Sequence, residues 1–228
     1  MDVKCTKLGV VIVAGGVGSR MGAQIPKQFL EIWGRSILEI TIRAFVGRCS
    51  EIVVVLPADQ HDRWQAMCAN NGLLGSHKVC SGGATRFDSV KNGLAALGQE
   101  CDLVAVHDGV RPLVSSAMIE RGVAVATEVG VAIPLVAAVD SFRQVTSDGT
   151  LVVADRSRLR AVQTPQIFRT ELLRRAYDTC AQPQFTDDAT VVERLGVPMG
   201  YYEGERSNIK ITTPEDLVIA AALMANAD

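Results

Sequence analysis

The sequence lacks the features that mark several large classes of protein. Its six cysteines form no CxxC pair, and its three histidines show no metal-ligand spacing. No apolar run reaches the roughly 18 residues that a membrane helix needs. The net charge of −2 gives no reason to expect binding to nucleic acid or to a membrane surface. These absences favour an ordinary globular protein without a disulfide framework or a histidine-cysteine metal site.

The N-terminus also lacks the apolar block of a signal peptide, because MDVKCTK leads directly into a strand pattern. We therefore expect a cytoplasmic protein whose cysteines are reduced thiols that pack in the interior. Hydrophobic residues make up 48% of the 228 residues, which suffices for one α/β domain with a sizeable core. No repeat, low-complexity tract or linker divides the chain, so residues 1–228 are predicted to form a single domain.

Apolar strand patterns alternate with helical patterns along most of the chain, which predicts a mostly parallel sheet with helices on both faces. The predicted strands are 10–13, 52–56, 77–80, 102–106, 131–136, 201–203 and 209–211. Ser36, Thr85 and Thr213 are predicted to cap helices. The segment 163–166 is predicted to be irregular, and the apolar last helix, 217–224, to seal the sheet.

The pattern changes between residues 137 and 160. Two strand-like runs, Ser141–Val145 and Thr150–Ala154, flank the hairpin-turn signal Ser147-Asp148-Gly149. An isolated hairpin is marginally stable in water, so this β-arm is expected to pack on another surface, such as a second subunit. Arginines follow the arm at positions 156, 158 and 160. They fit either a solvated basic edge or a phosphate site.

A glycine loop follows the first apolar strand. Gly15, Gly16 and Gly18 let backbone N–H groups approach an anion closely, and Arg20 and Lys27 add charges suited to phosphate oxygens. No Gly-Lys-Ser/Thr follows at the spacing of a Walker A loop. Met stands where a dinucleotide-binding fingerprint has its third glycine. The loop alone fits either a polyphosphate site or a plain chain reversal.

A carboxylate stands at the end of another apolar strand. Asp108 follows 102–106 closely, at the sheet edge where open parallel sheets bind ligands. It fits either a hard cation such as Mg²⁺ or a turn in which Arg111 is its ion-pair partner. The pair Asp187 and Asp188 is interpreted as the cap of a helix.

The glycine loop with Arg20 and Pro26-Lys27-Gln28 resembles the signature loop of nucleotidyltransferases that act on sugar or polyol phosphates. Six collinear motifs extend the resemblance over nearly the whole chain, and they are similar to those of the 2-C-methyl-D-erythritol 4-phosphate cytidylyltransferase family. The motifs are VIVAGGVGSRMGAQIPKQFL, GGATRFDSVKNGL, VHDGVRP, QTPQIF, TDDA and NIKITTPEDL. The resemblance implies a Rossmann-like nucleotidyltransferase fold with a dimerising arm at about 137–160, and transfer of a cytidylyl group from CTP with Mg²⁺.

The resemblance also implies a role for each matched residue. Catalytic roles fall on Arg20, Lys27, Asp108 and Lys210. Nucleotide binding falls on Ala14, Gly15, Gly16, Val17, Gly18, Lys27, Gly82, Gly83, Arg86, Ser89 and Gly109. Binding of the acceptor, a polyol phosphate, falls on Asp108, Arg111, Ser141, Arg156, Lys210 and Thr212, with Ser141 and Arg156 expected to come from the partner's arm. Asp108 is the implied metal ligand.

Three positions depart from the family pattern. Ala84 stands where many relatives carry Asp or Glu, which removes one polar contact with the nucleotide. Ser141 replaces a common Thr but keeps the hydroxyl, and Gly109 replaces the more frequent Ala, a change expected to be harmless near the ribose.

Three other functions are weighed against this one. A ribitol 5-phosphate cytidylyltransferase has closely similar motifs and differs in its acceptor. A regulatory or scaffold protein that binds nucleotide without catalysis is disfavoured because Arg20, Lys27, Asp108 and Lys210 are retained together. A dehydrogenase is further disfavoured by the missing third glycine.

Overall fold

The computed structural model describes residues 6–16, 25–73, 75–180, 185 and 187–226. The strands are β1 Leu8–Val13, β2 Glu31–Ile32, β3 Arg35–Ser36, β4 Glu51–Leu56, β5 Lys78–Ser81, β6 Leu103–Asp108, β7 Val131–Ala137, β8 Phe142–Val145, β9 Leu151–Ala154, β10 Arg160–Val162, β11 Gln166–Arg169 and β12 Gly200–Glu203. The helices are α1 Ile37–Phe45, α2 His61–Asn71, α3 Arg86–Ala96, α4 Ser116–Val129, α5 Thr170–Thr179, α6 Asp188–Glu193 and α7 Pro214–Ala225.

A mixed, mostly parallel sheet forms the centre of the molecule. Its strand order is β10-β7-β11-β6-β1-β4-β5, and β12 pairs with β7. Strands β6, β1, β4 and β5 are mutually parallel, so their carboxyl ends lie at one edge. The predicted α/β class with a Rossmann-like sheet is confirmed, and the strand ends that carry the glycine loop and Asp108 are direct neighbours, Val13 being paired with Asp108.

The apolar runs of the central strands are buried on both faces because helices cover both sides of the sheet. On one side α1, α2 and α4 pack on the strands through residues such as Phe45, Trp64 and Met118. On the other side α3, α5 and α6 contribute Leu94, Tyr177 and others. Val10, Val11 and Ile12 of β1 have no exposed surface at all, which anchors the loop that follows them.

The predicted helix caps are confirmed. The Ser36 hydroxyl accepts a hydrogen bond from the backbone N–H of Glu39. Thr85 and Thr213 each form a capping box, with Asp88 and Asp216 respectively. Each carboxylate in turn accepts a hydrogen bond from the backbone N–H of its cap residue. Two backbone N–H groups at the start of each helix therefore have hydrogen-bond partners. The start of α3 is thereby held at the same sheet edge as the glycine loop.

Three local predictions were wrong. Residues 163–166 are not wholly irregular, because Gln166 begins β11, which inserts antiparallel between β6 and β7. Residues 209–211 form no strand. The backbone N–H of Ile211 donates one hydrogen bond to the carbonyl of Val110, but the segment is not paired with any strand of the described sheet. Helix α7 does not seal the sheet, since only Ala220 of that helix is buried. It packs instead on a small separate cluster around Ile32, Val110 and Ile211.

The arm is a two-stranded hairpin of β8 and β9 that is separate from the main sheet. Phe142 pairs with Ala154 and Val145 with Leu151, and the turn contains Gly149 with φ +83°. Both faces carry exposed apolar side chains, among them Val145, Val152 and Val153. A hairpin of this kind gains little stability alone, and these apolar side chains stay exposed in the single chain.

None of the helices in the described ranges has the length and apolar character needed to cross a membrane. The five described cysteines are free thiols, of which Cys68 and Cys101 are buried and Cys49, Cys80 and Cys180 are half-buried.

Candidate functional site

A cleft of about 670 Å³ opens where the parallel strands β1, β4, β5 and β6 end. The walls of the cleft include residues that follow each of these four strands. Its lining includes Ala14, Gly15, Gly16, Lys27, Gly82, Gly83, Arg86, Ser89, Asp108 and Lys210, all named from the sequence, together with Gln28, Asp59 and Thr85. The topology therefore brings together residues from four distant motifs, as expected for ligand sites in open α/β sheets.

The glycine loop forms one wall of the cleft. The backbone N–H of Ala14 donates to the carbonyl of Val55 in β4 at 2.9 Å, which fixes the start of the loop on the sheet. A Cβ at Gly16 would lie 3.6 Å from Cε of Lys27, so the lysine side chain runs directly past the glycine backbone. Val17, Gly18 and Arg20 lie outside the described residues.

The second glycine pair forms the opposite wall. Gly83 N–H donates to Oγ of Ser89 at 3.1 Å, and that hydroxyl donates to the carbonyl of Thr85 at 2.9 Å. A Cβ at Gly83 would overlap the Cβ of Asp88, and one at Gly82 would lie 3.1 Å from Ser89 Oγ. Glycine is therefore required for the close approach of this loop to the start of α3.

Asp108 lies at the floor of the cleft between two cations. Its Oδ2 accepts from Nε of Arg111 at 3.2 Å and contacts Nζ of Lys210 at 3.0 Å. Burial alone would raise the pKa of this carboxyl, but the charges of Lys210, Arg86 and Arg111 outweigh burial and hold the pKa well below its usual range. Asp108 is therefore ionised at neutral pH, and the ion pair with Arg111 that the sequence allowed is present.

Arg86 projects from the first turn of α3 and lines the cleft. Its two terminal nitrogens donate to both oxygens of Asp188, at 3.0 and 2.7 Å, a bidentate pair that fixes the plane of the guanidinium. The hydroxyl of Tyr177 donates to the same carboxylate at 2.6 Å. Asp187 caps α6 as predicted. Asp188 does not cap the helix, because its side chain is wholly buried and accepts the hydrogen bonds of Arg86.

Sequence reasoning missed a set of buried polar residues beneath Asp108. We call His107, Gln163, Thr164 and Asn208 the buried polar layer; each is at most 8% exposed. Burial lowers the pKa of His107 to about 4, so the ring is neutral near pH 7. Polar residues inside apolar surroundings, such as His107 after VAV and Asn208 before IKI, were the available signal, because buried polar groups require partners.

Five of the predicted site residues do not line the cleft. The guanidinium of Arg111 is buried behind Asp108 and also donates to the carbonyl of Asn208. Thr212 donates its hydroxyl to Asp216 at the start of α7. Ser141 and Arg156 lie at the base of the arm, where Arg156 donates to the carbonyl of Val139.

Gly109, the fifth of these residues, lies beneath the glycine loop. Its N–H donates to the carbonyl of Val13 at 2.8 Å, and a Cβ here would lie 2.8 Å from the Cβ of Ala14. Gly109 therefore allows close packing of two loops, and a methyl group at this position would have to displace the first turn of the glycine loop.

Comparisons with known proteins show the family to which the chain is similar. The model of the 2-C-methyl-D-erythritol 4-phosphate cytidylyltransferase family matches residues 8–226. A protein of that name from Bacteroides thetaiotaomicron is 48% identical over 220 residues, covering 96% of this chain and 100% of the relative. One from Clostridium perfringens is 40% identical over 220 residues, covering 94% of this chain and 97% of the relative.

Solved structures share the fold. The 2-C-methyl-D-erythritol 4-phosphate cytidylyltransferase from Thermus thermophilus superposes with a TM-score of 0.78 at 34% identity, covering 96% of this chain and all of that chain. The 4-diphosphocytidyl-2C-methyl-D-erythritol synthase from Anaerococcus prevotii superposes with a TM-score of 0.83 at 28% identity, covering 96% of each chain.

Proposed function

Because this chain belongs to the 2-C-methyl-D-erythritol 4-phosphate cytidylyltransferase family, we propose that it transfers a cytidylyl group from CTP to 2-C-methyl-D-erythritol 4-phosphate. The products are 4-diphosphocytidyl-2-C-methyl-D-erythritol and pyrophosphate. One observation carries the proposal: Lys27, Arg86, Lys210 and Asp108, from four separate segments, meet at a single cleft beside two glycine loops.

The reaction is an in-line displacement at phosphorus. An oxygen of the acceptor phosphate forms a bond to the α-phosphorus of CTP while the bond from that phosphorus to the bridging oxygen breaks, and pyrophosphate leaves. A phosphate monoester is mostly dianionic at pH 7, because its second pKa is about 6, so the nucleophile needs no general base. Catalysis then consists of positioning and charge neutralisation, which is what fixed cations at a cleft provide.

Different residues of the cleft bind the triphosphate, stabilise the developing charge and accommodate the nucleoside. The backbone of Ala14–Gly16 holds the triphosphate, and Lys27 stabilises the charge that develops on the α-phosphoryl oxygens, with Arg20, Val17 and Gly18 added on the strength of the family resemblance. Gly82, Gly83 and Ser89 accommodate the cytosine and ribose, and Arg86 borders that wall. The close packing of Gly83 on Asp88 supports a narrow base pocket, which is suited to a pyrimidine.

A divalent cation is expected to bind with CTP. The residues that the structure describes contain no cluster of three His, Cys, Asp or Glu side chains placed for a metal, but Mg²⁺ is commonly held by one or two carboxylates plus substrate phosphates. Asp108 fits this mode, because it is ionised and lines the cleft, where Lys210 and Arg111 both contact its Oδ2. The bound ion would neutralise phosphate charge.

The family resemblance assigns the acceptor site to Asp108, Arg111, Lys210 and Thr212 in one subunit and to Ser141 and Arg156 of a second subunit, and of these residues Asp108 and Lys210 line the cleft. Lys210 belongs to this acceptor group and also lines the cleft, and its Nζ lies 3.0 Å from Oδ2 of Asp108. Arg156 is fixed at the base of the arm by its bond to Val139. A homodimer in which each arm reaches the other cleft is supported by the apolar side chains exposed on β8 and β9.

We expect Val153→Asp to dissociate this dimer. Val153 is 68% exposed in the single chain, and a carboxylate buried at an interface without a partner is costly. The dissociation constant should rise roughly 30-fold or more, which corresponds to the loss of about 2 kcal/mol expected at an interface hot spot. Sedimentation velocity over a range of concentrations measures the change.

Val218→Asp is the matched control, because Val218 is 71% exposed on α7. If Val218→Asp dissociates the dimer while Val153→Asp does not, the arm is not the interface. If the wild-type protein is monomeric at every concentration, the proposed dimer is wrong.

The activity is tested by pyrophosphate release from CTP with Mg²⁺ and 2-C-methyl-D-erythritol 4-phosphate. We expect turnover that requires all three components and that falls strongly when ATP, GTP or UTP replaces CTP. Parallel reactions with ribitol 5-phosphate test the acceptor. Faster turnover with ribitol 5-phosphate would reassign the substrate, and CTP binding without turnover on either acceptor would favour a regulatory role.

We also propose that the protein acts in the cytoplasm. The free state of its five described cysteines supports a reducing compartment.

A further inference from the structure

The buried polar layer contacts the cleft residues from behind, out of reach of any substrate. His107 precedes Asp108 on β6, and its ring has no exposed surface. Nε2 of the ring is 3.0 Å from the carbonyl of Arg111, and Nδ1 is 3.1 Å from Oγ1 of Thr164. The same Oγ1 lies 3.0 Å from the backbone N of Asp108. These contacts form one chain that begins and ends on the VHDGVR segment.

The direction of every hydrogen bond in this chain follows from its ends. A carbonyl only accepts, so Nε2 of His107 must carry the proton and donate to Arg111. In a neutral imidazole the other nitrogen is then an acceptor, and Thr164 Oγ1 must donate to Nδ1. The hydroxyl has its lone pairs left, and one of them accepts the N–H of Asp108. Only one tautomer of His107 and one hydroxyl orientation satisfy all three bonds.

Asn208 links the same layer to the segment that carries Lys210. Its side-chain Nδ2 donates to the backbone carbonyl of Thr164 at 2.8 Å, and its backbone carbonyl accepts from Nη1 of Arg111 at 2.8 Å. The amide of Gln163 donates to the carbonyl of Glu205 at 2.7 Å. Residues 163–164 therefore hold both the end of β6, with Asp108, and the loop that brings Lys210 to within 3.0 Å of it.

We propose that Thr164 and His107 are positioning residues for the Asp108–Arg111–Lys210 cluster: their directional hydrogen-bond chain sets the height and orientation of the Asp108 carboxylate at the cleft floor. The inference deepens the proposed function, on which it rests. Neither side chain touches the substrate. A fixed backbone at 108 and 111 keeps the carboxylate between two cations in the absence of ligand, so little reorganisation is needed when the phosphates bind.

The test removes one hydroxyl and compares it with another. Thr164→Val deletes the donor to His107 and the acceptor of the Asp108 N–H, and we expect kcat to fall by about 10–100-fold, the range typical for residues behind a site, with KM for CTP changed by less than about threefold. Thr164→Ser restores the hydroxyl and should recover most of kcat. Thr170→Val is the matched control, because the buried Thr170 hydroxyl has no partner among the described residues, and its kcat should equal that of the wild type.

The ring nitrogens of His107 provide a readout that does not depend on turnover. The chain has three histidines, so a long-range ¹H–¹⁵N spectrum at pH 7.5 can be assigned with His61→Gln and His77→Gln. We expect His107 to be the Nε2–H tautomer, and Thr164→Val to shift Nδ1 towards the value of a nitrogen without a hydrogen bond, while Thr170→Val leaves it unchanged.

Three results would overturn the inference. They are a His107 ring protonated on Nδ1 at pH 7.5, a Thr164→Val enzyme with wild-type kcat, and a Thr164→Ser enzyme as impaired as Thr164→Val. If the wild-type chain transfers no cytidylyl group, the proposed function fails instead, and the spectrum still decides whether the hydrogen-bond chain exists.

Discussion

Replacing Lys27 with alanine is expected to lower kcat for pyrophosphate release by about 10²–10³-fold, the usual cost of removing one preorganised group that stabilises developing charge. KM for CTP should change far less, because CTP already carries most of its negative charge in the ground state and has other contacts with the loop. A loss confined to kcat identifies an interaction that is made mainly in the transition state.

The local structure of Lys27 explains why this effect should be large. The residue begins a short 3₁₀ turn, Lys27–Phe29, whose Gln28 and Phe29 are buried, and Pro26 before it restricts the backbone. The side chain passes the Gly16 backbone, with Cε 3.6 Å from where a Cβ would lie. The ammonium group is thus held on the wall of the cleft, and its charge needs little reorientation during the reaction.

Two variants serve as controls for Lys27→Ala. Lys7→Ala removes an exposed lysine that pairs with Glu100 at 2.7 Å before β1, on the opposite edge of the sheet, and should leave kcat unchanged. Lys27→Arg keeps the positive charge but changes its shape, and we expect an intermediate kcat. Near-normal kcat in Lys27→Ala, measured with saturating CTP, would refute the role assigned to this lysine.

The parts of the fold that the sequence predicted correctly are those set by local chemistry. Runs such as Val10–Val13 belong in a buried strand wherever the sheet lies. A threonine followed three residues later by Asp, as at Thr85 and Thr213, begins a helix through its own hydrogen bonds. Because β1 and β6 are neighbouring parallel strands, the prediction that their following residues share one cleft needed only the strand assignments.

The parts that it did not predict depend on partners distant in the sequence. Strand β11 is four residues long and starts with a buried glutamine, so its pattern is too weak to identify, and its place between β6 and β7 is decided by tertiary packing. The bond between Thr164 and Asp108 joins residues 56 positions apart, and the pair of Arg86 with Asp188 joins residues 102 apart. Neither motif contains any local sign of the other.

The pair of Arg86 and Asp188 gives the second large effect. We expect Asp188→Asn to lower the free energy of unfolding by about 3 kcal/mol, the lower end of the range for breaking a buried ion pair, because the Arg86 side chain remains 29% exposed. The substitution keeps the volume of the side chain, so no cavity contributes. It places an amide N–H₂ against a guanidinium nitrogen or the Tyr177 hydroxyl, and at least one donor loses its acceptor.

Asp178→Asn separates this effect from the loss of a negative charge in general. Asp178 is 70% exposed and pairs with Lys91 at 3.4 Å, and exposed pairs contribute about 0–1 kcal/mol. Thermal unfolding should therefore show a fall of about 6–12 °C in the Tm of Asp188→Asn and almost none in Asp178→Asn. Arg86 lines the cleft from the first turn of α3, so a guanidinium without its bidentate partner is also expected to raise KM for CTP in the folded Asp188→Asn enzyme. Equal Tm values for the two variants would mean that Asp188 contributes no more to stability than a surface charge does. An unchanged KM for CTP would mean that the ion pair with Arg86 stabilises the fold but does not affect CTP binding.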